Sequence, residues 1–377
     1  MKKLLSGFLL LLVLGIYLIS ADAHLLEVPV TDAQPNTTET VVTGIPLPWG
    51  MDWLPDGDML ITNRDGQLYL FSNGELVTEP IDGVPEVWAR GQGGLLDIAL
   101  HPDYEENGWI YITYSDPEGG SGANTTLLRA RLNDDRTNLI DKEKLYHAEP
   151  NTSRGQHFGS RIEFDDEGHV YFGIGDRGNR DENPQDITRD GGKIYRLNDD
   201  GSIPEDNPFV GKRGAKEAVF AYGIRNPQGM DMHPETGQLW EHEHGPRGGD
   251  EVNIIMAGKN YGWPVISFGI NYSGTEFAED TARSGMEQPE WYWDPSIAPS
   301  GMTFVTSDKY PEWQGDILVG SLKFGYIVRA DVENNTVVDD EILFENIGRV
   351  RNIRQGPDGY IYVATEGNGI VRLIAKP

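Results

Sequence analysis

One pattern recurs along this chain and restricts its fold more than any other feature. It is an alternating strand, a turn built from Pro or Asp with Gly, and a second strand rich in β-branched and aromatic residues. It reads MDWLPDGDMLITNRDGQLYLF from Met51, LDIALHPDYEENGWIYITYS from Leu96, SRIEFDDEGHVYFGIGDRG from Ser160 and GMDMHPETGQLWEHEHGP from Gly229. A looser copy, MTFVTSDKYPEWQGDILVGSLKFGYIVRA, starts at Met302, and RNIRQGPDGYIYVATEGNGIVRL starts at Arg351. Six copies with further strand-like sequence between them predict an all-β protein, a six-bladed β-propeller of four-stranded antiparallel blades. Helical periodicity is nearly absent, and 46 glycines with 23 prolines suit many short turns. A β-sandwich is the competing all-β arrangement, but it has no need of six similar hairpins. A strand near Glu39 to Thr43 is expected to close the ring by joining the last blade.

The N-terminus reads MetLysLys, an apolar run from Phe8 to Ile19, then SerAlaAspAlaHis. That is the pattern of a signal peptide over residues 1–23, cleaved after Ala23. The run is too short and wrongly flanked for a transmembrane helix, with an uncleaved anchor as the alternative. Residues 24–377 are therefore expected to form a single propeller domain, periplasmic or secreted, with no stable membrane insertion after processing. The absence of cysteine excludes both disulfides and a lipid-modified N-terminal cysteine. The formal net charge of −29 argues against nucleic acid and anionic membranes as partners. It suits cations or a basic redox partner, and equally a plain solvated surface from a saline habitat.

In a propeller, loops at one end of the central channel converge, so equivalent points of successive repeats can build one site. Polar residues recur at such points. Gln92 precedes the second copy, His157 the third, and Arg225 with Asn226 the fourth; Lys323 lies late in the fifth, and Arg349 and Arg351 lead into the sixth. Most are cationic or can become so, in a chain that is otherwise acidic. The segment Tyr222 to Glu251 is the densest. Its two alternating stretches joined by ProGluThrGly read as a β-hairpin that brings Arg225 and the Gly245-Pro246 carbonyls to one end of a sheet. That would set an anion-binding group beside oxygen donors suited to a hard cation, although a tight turn with a surface salt bridge would use the same residues.

The blocks GQGGLLDIALHPDY, GQHFGSRIEFDDEGHVYFGIGDRG, GGKIYRLNDDGSIPEDNPF, YGIRNPQGM, EHGPRGGDEVNII, GKNYGWP, GINYSG, SLK and RVRNIRQGPDGYIYV run in order from about residue 45 to the C-terminus. They resemble the pyrroloquinoline quinone (PQQ)-dependent aldose sugar dehydrogenases of the soluble glucose dehydrogenase superfamily. YGIRNPQGM, EHGPRGGDE and NYGWP are the specific ones; GxxDGxxYV-like pieces occur in many propellers. The resemblance implies that Gln92, Arg225, Asn226, Lys323, Arg349 and Arg351 hold the carboxylates and quinone oxygens of PQQ. It implies Ca²⁺ on the main-chain carbonyls of Gly245 and Pro246, and a second, structural Ca²⁺ near Glu251 and the Tyr261 carbonyl. Asp250 would either join that second site or stabilise its loop, and His242 and His244 would be structural.

By the same resemblance His157 is the general base, bound at the cofactor; Asp176 lies where a returning strand could hydrogen-bond and orient the imidazole, with a turn-capping aspartate as its other reading. An aldose sugar would lose its C1 hydroxyl proton to His157 and a hydride from C1 to the quinone C5, giving an aldonolactone. Arg225 would stabilise the charge that develops, and electrons would pass to an external acceptor such as a quinone, cytochrome or dye. Gln92, Asp176 and Trp293 are expected to touch the sugar, Trp293 by stacking, with blade packing as its other reading. Two other functions fit the fold: a calcium-dependent sugar lactonase, which needs side-chain carboxylates converging on the metal, and a non-catalytic propeller binding a sugar or protein.

Overall fold

The computed structural model describes residues 37–374, so the expected signal segment over residues 1–23 lies outside the described residues. Among them, 24 strands form six four-stranded antiparallel sheets, the blades of a propeller. Pro48–Trp53, Leu95–Leu100, Ile162–Phe164, Pro227–Met232, Pro299–Phe304 and Arg349–Gln355 are the first strands of blades 1 to 6, and each packs against the first strands of its two neighbours around the axis. Every sequence repeat is thus the inner hairpin of a blade. The pairings Met51 with Ile61, Met230 with Glu241 and Ile353 with Val363 show it. Apolar residues alternate outward from these hairpins into cores between adjacent blades, such as Trp240 and Phe304 between blades 4 and 5.

Closure follows the expected route. Thr37–Val42 pairs antiparallel with Gly369–Ile374 and becomes the fourth strand of blade 6, with Thr37 opposite Ile374.

The axis is crowded. A Cβ at Gly50 would lie 2.9 Å from the Ile98 nitrogen, and one at Gly301 2.5 Å from the Asn352 Cα, so only glycine lets these inner strands approach. Carboxylates latch blades 1 to 2, 2 to 3 and 4 to 5: Asp52 accepts from Leu100 N at 2.7 Å, Asp97 from Ile162 N at 3.0 Å and Asp231 from Phe304 N at 2.7 Å. Across the channel reaches the buried Arg161. Its guanidinium donates to Asp97 at 3.2 Å, Gln228 O at 2.7 Å and Arg351 O at 2.7 Å, and lies 4.0 Å from the centre of the Trp49 ring. Burial pulls its pKa down to about 10, with Asp97 opposing the shift.

Removing one partner of a buried ion pair leaves the other uncompensated. Arg161→Leu is therefore expected to cost about 3–5 kcal/mol of stability in urea denaturation. Arg161→Leu combined with Asp97→Leu should recover part of that loss.

Candidate active site

Because each inner hairpin is antiparallel, the start of a blade's first strand sits beside the end of its second. Pro227 faces Glu243, and Arg349 faces Glu366. Two kinds of segment therefore meet at one end of the ring. Those entering first strands carry Gln92, His157, Arg225, Asn226 and Arg349. Those leaving second strands carry Arg64, Asp176, Gly245, Pro246 and Lys323. Between them, over the channel mouth, lies a cavity of about 330 Å³ lined by Gln92, Arg64, Arg349, Arg351, Gln228 and His244 among others. Trp49 and Gln228, both in contact with Arg161, also line it.

His157 has a positive φ of 57°, which turns the chain sharply just before blade 3. Gln92 Oε1 accepts its backbone N–H at 2.7 Å. Its Nδ1 lies 2.6 Å from Asp176 Oδ1. The other oxygen of Asp176 accepts from Trp263 Nε1 at 2.9 Å, and Gly178 N donates to Oδ1 at 2.6 Å. The ring is therefore oriented, and Nε2 is left without a hydrogen bond among the described residues. Burial and the nearby Arg225 charge lower the pKa of His157, against the pull of Asp176. Burial works to raise Asp176, but its bonds to His157 and Trp263 and the Arg225 charge outweigh it and hold the carboxyl below its usual value.

Arg177 holds the same turn from its backbone side. Its buried guanidinium donates to the carbonyls of Gln156, Arg154 and Ala123, and sits 3.4 Å from the centre of the Phe158 ring. Asn226 joins in through Oδ1, which accepts from Gly159 N at 3.2 Å.

Arg225 is buried and forms no ion pair among the described residues. Nη1 donates to His244 O at 2.7 Å, the guanidinium faces Trp263 at 5.2 Å, and Nε has no partner. Gly245 lies at the same sheet end, as the hairpin reading requires, and no described N–H reaches the Gly245 or Pro246 carbonyl. Asp250 stabilises this loop: it accepts from Gly245 N at 2.8 Å, Ala298 N at 2.8 Å and Ser296 Oγ at 2.6 Å. Glu251 and Tyr261 line a separate cavity of about 10 Å³ together with Glu243 and Arg225, room for about one water-sized atom. Burial raises Glu243 to about 7 and holds Glu251 well above the carboxylate range. Among the described residues no three His, Asp or Glu side chains converge as a metal-ligand set.

Arg349 and Arg351 are brought to the cavity, where they share one carboxylate, Glu366, at 2.7 and 2.6 Å. Lys323 stands at the rim, exposed, with Nζ on the Ser296 carbonyl at 2.8 Å. Buried His242 and half-buried His244 bond the Gly301 and Pro299 carbonyls, at 3.2 and 2.7 Å.

Two expectations are corrected. Trp293 is no sugar platform: it is buried in the core between blades 4 and 5, with Nε1 on Asp340 at 2.9 Å. An aromatic at the end of a blade has the same local sequence whether it packs or stacks. Asp176 is buried with both oxygens engaged, by the His157 ring and the Trp263 indole, rather than open to the cavity. The sequence reading missed Arg64, Arg177, Glu243 and Trp263. Arg64 directly follows the second strand of blade 1, where Leu322 follows that of blade 5, so comparing the repeats does not single it out; Trp263 lay inside the quoted NYGWP block.

A sheet-lined channel mouth holding an oriented histidine, buried arginines and free carbonyls is the layout of a propeller enzyme. The chain belongs to the glucose/sorbosone dehydrogenase family, whose model matches residues 45–373. It is 44% identical over 323 residues to the aldose sugar dehydrogenase YliI of Escherichia coli (strain K12), covering 85% of this chain and 87% of that one. The apo-form crystal structure of the soluble aldose sugar dehydrogenase from Escherichia coli superposes with a TM-score of 0.87 at 41% identity, covering 90% of this chain and 99% of the other. The PQQ-bound aldose sugar dehydrogenase of Streptomyces coelicolor does so with a TM-score of 0.73 at 26% identity, covering 90% and 98%.

With its pKa lowered, His157 should be neutral at pH 7 and protonate only below the ordinary histidine value of about 6.5. NMR titration of its imidazole in the cofactor-free protein checks this. Arg225→Gln, which removes a positive neighbour, should move the titration up; Asp176→Asn, which removes a negative one, should move it down.

Proposed function

We propose that this chain oxidises aldose sugars at C1 to aldonolactones as a PQQ- and calcium-dependent quinoprotein, passing electrons to an external acceptor. Its family makes it a sugar dehydrogenase, and a PQQ-bound relative supports the cofactor. The observation that carries the chemistry is the His157–Asp176 pair, with Nε2 free beside a cation-rich cavity.

The residues present fit the implied groups. Arg349 and Arg351 would take carboxylates as bidentate forks, helped by Gln92 and by Lys323 turning inward from the rim. The unpartnered Nε of Arg225, with Asn226 beside it, would face the quinone oxygens. The Gly245 and Pro246 carbonyls would hold Ca²⁺, being hard oxygen donors with no competing N–H. A second Ca²⁺ would sit near the Glu251 carboxylate and the Tyr261 carbonyl, which line one small cavity together with Glu243. When bound, PQQ supplies the hydride acceptor and Ca²⁺ polarises it.

The chain's own part is proton transfer and positioning. Neutral His157 takes the C1 hydroxyl proton on Nε2 while Nδ1–H stays on Asp176, whose charge stabilises the imidazolium. Arg177 and Gln92 keep the turn from moving the ring. A lactonase built on converging carboxylates fits less well, because this cavity is lined by arginines and amides. Export belongs to the same proposal: no helix among the described residues is long and apolar enough to cross a membrane, and the signal segment would be removed.

Reconstitution with PQQ and Ca²⁺ followed by aldose-dependent dye reduction tests this reading. Lactone hydrolysis with Ca²⁺ alone and no aldose oxidation would favour the lactonase, and PQQ binding without turnover the non-catalytic propeller. His157→Gln should lower turnover by about 10²–10⁴-fold while leaving PQQ binding intact; unchanged turnover would remove His157 from the role of base.

A further inference from the structure

We propose that Arg64 is an anion-binding residue of the cavity, gripping a carboxylate of the quinone cofactor; this rests on the PQQ reading above. Arg64 directly follows the second strand of blade 1, Met59–Asn63. Its backbone is fixed from both sides: its N–H donates to Leu47 O at 3.0 Å, and its carbonyl accepts from Leu95 N at 3.0 Å. Gly94, with a φ of 151°, leaves the room this placement needs, because a Cβ there would collide with the Arg64 carbonyl.

The side chain has no such anchoring. Arg64 lines the cavity with Gln92, Arg349 and Arg351, yet its guanidinium makes no hydrogen bond or ion pair with any described residue. The other two arginines share Glu366. Three guanidiniums against one carboxylate leave the cavity two positive charges in excess. Arg351 registers the crowding: burial chiefly lowers its pKa, and Arg349 and Arg64 add to that.

A half-buried guanidinium with all its donors free has a geometry matched to a carboxylate, which it binds through two parallel hydrogen bonds. A neutral aldose offers hydroxyls that would leave the excess charge standing. A cofactor with three carboxylates supplies the missing anion, and Arg64 faces it from blade 1, beside Arg349 and Arg351 of the adjacent blade 6. The cofactor would thus be gripped across the seam where the ring closes.

The test is equilibrium titration of the cofactor-free protein with PQQ, followed by quenching of tryptophan fluorescence at low and high salt; Trp49 lines the same cavity. Arg64→Gln should raise Kd by about 10- to 100-fold and flatten its salt dependence. Arg64→Lys, which keeps the charge but not the fork, should fall between. At saturating PQQ the aldose KM should not change. Wild-type affinity in a folded Arg64→Gln protein overturns the proposal, as does a raised aldose KM with unaltered PQQ affinity. A wild-type protein that fails to bind PQQ overturns the parent reading and this one together, which separates the two failures.

Discussion

Arg161 joins more of this molecule than any other side chain described. It grows from the first strand of blade 3, and its one guanidinium bonds to blades 2, 4 and 6 and stacks on blade 1. Blade 5 is tied to the same place through Ser300 Oγ, which donates to the Arg351 carbonyl at 2.7 Å. A buried charge is tolerable only with a partner and with its donors satisfied, so Arg161 demands Asp97 and two correctly placed carbonyls. Those demands set the spacing of the inner strands, and the inner strands set the floor on which the cavity stands.

Above that floor, the site is built on a contrast between satisfied and unsatisfied groups. Asp176, Asp250 and the His157 backbone are fully engaged and therefore fixed. His157 Nε2, Arg225 Nε, the Arg64 guanidinium and the Gly245 and Pro246 carbonyls are not. Of these Arg225 Nε is buried, where a missing partner is costly, and the others open toward the same end of the ring, where a ligand could complete them. The engaged groups give geometry; the open ones give affinity.

The fold was legible because a blade's inner hairpin is a local object. Its alternation and turn lie within about 20 contiguous residues, so each copy can be recognised alone, and six of them leave few architectures. Much of the site was legible for the same reason, since Gln92, His157 and Arg225 occupy equivalent points of successive copies. What lay outside reach depended on contacts between distant segments. Nothing near Trp293 reveals that Asp340 will receive its indole N–H. Nothing near Asp176 reveals that Trp263, 87 residues away, will take its second oxygen. Arg177 looked like one residue of a GlyAspArgGly turn, because its three carbonyl partners come from two other segments.

The strand that completes blade 6 carries a consequence for how the molecule comes into being. Thr37–Val42 is made before any of the blades, yet its partner, Gly369–Ile374, is the last strand of all. Until that last strand is made, Thr37–Val42 lacks its partner in the finished blade. Five blades can assemble in order behind it, each from neighbours in sequence, while the ring stays open. The final pairing spans the greatest sequence separation among the described strands, so closing it carries the largest loop entropy among them and should come late in folding. A chain truncated before residue 369 would lack the strand on which Thr37–Val42 closes the ring.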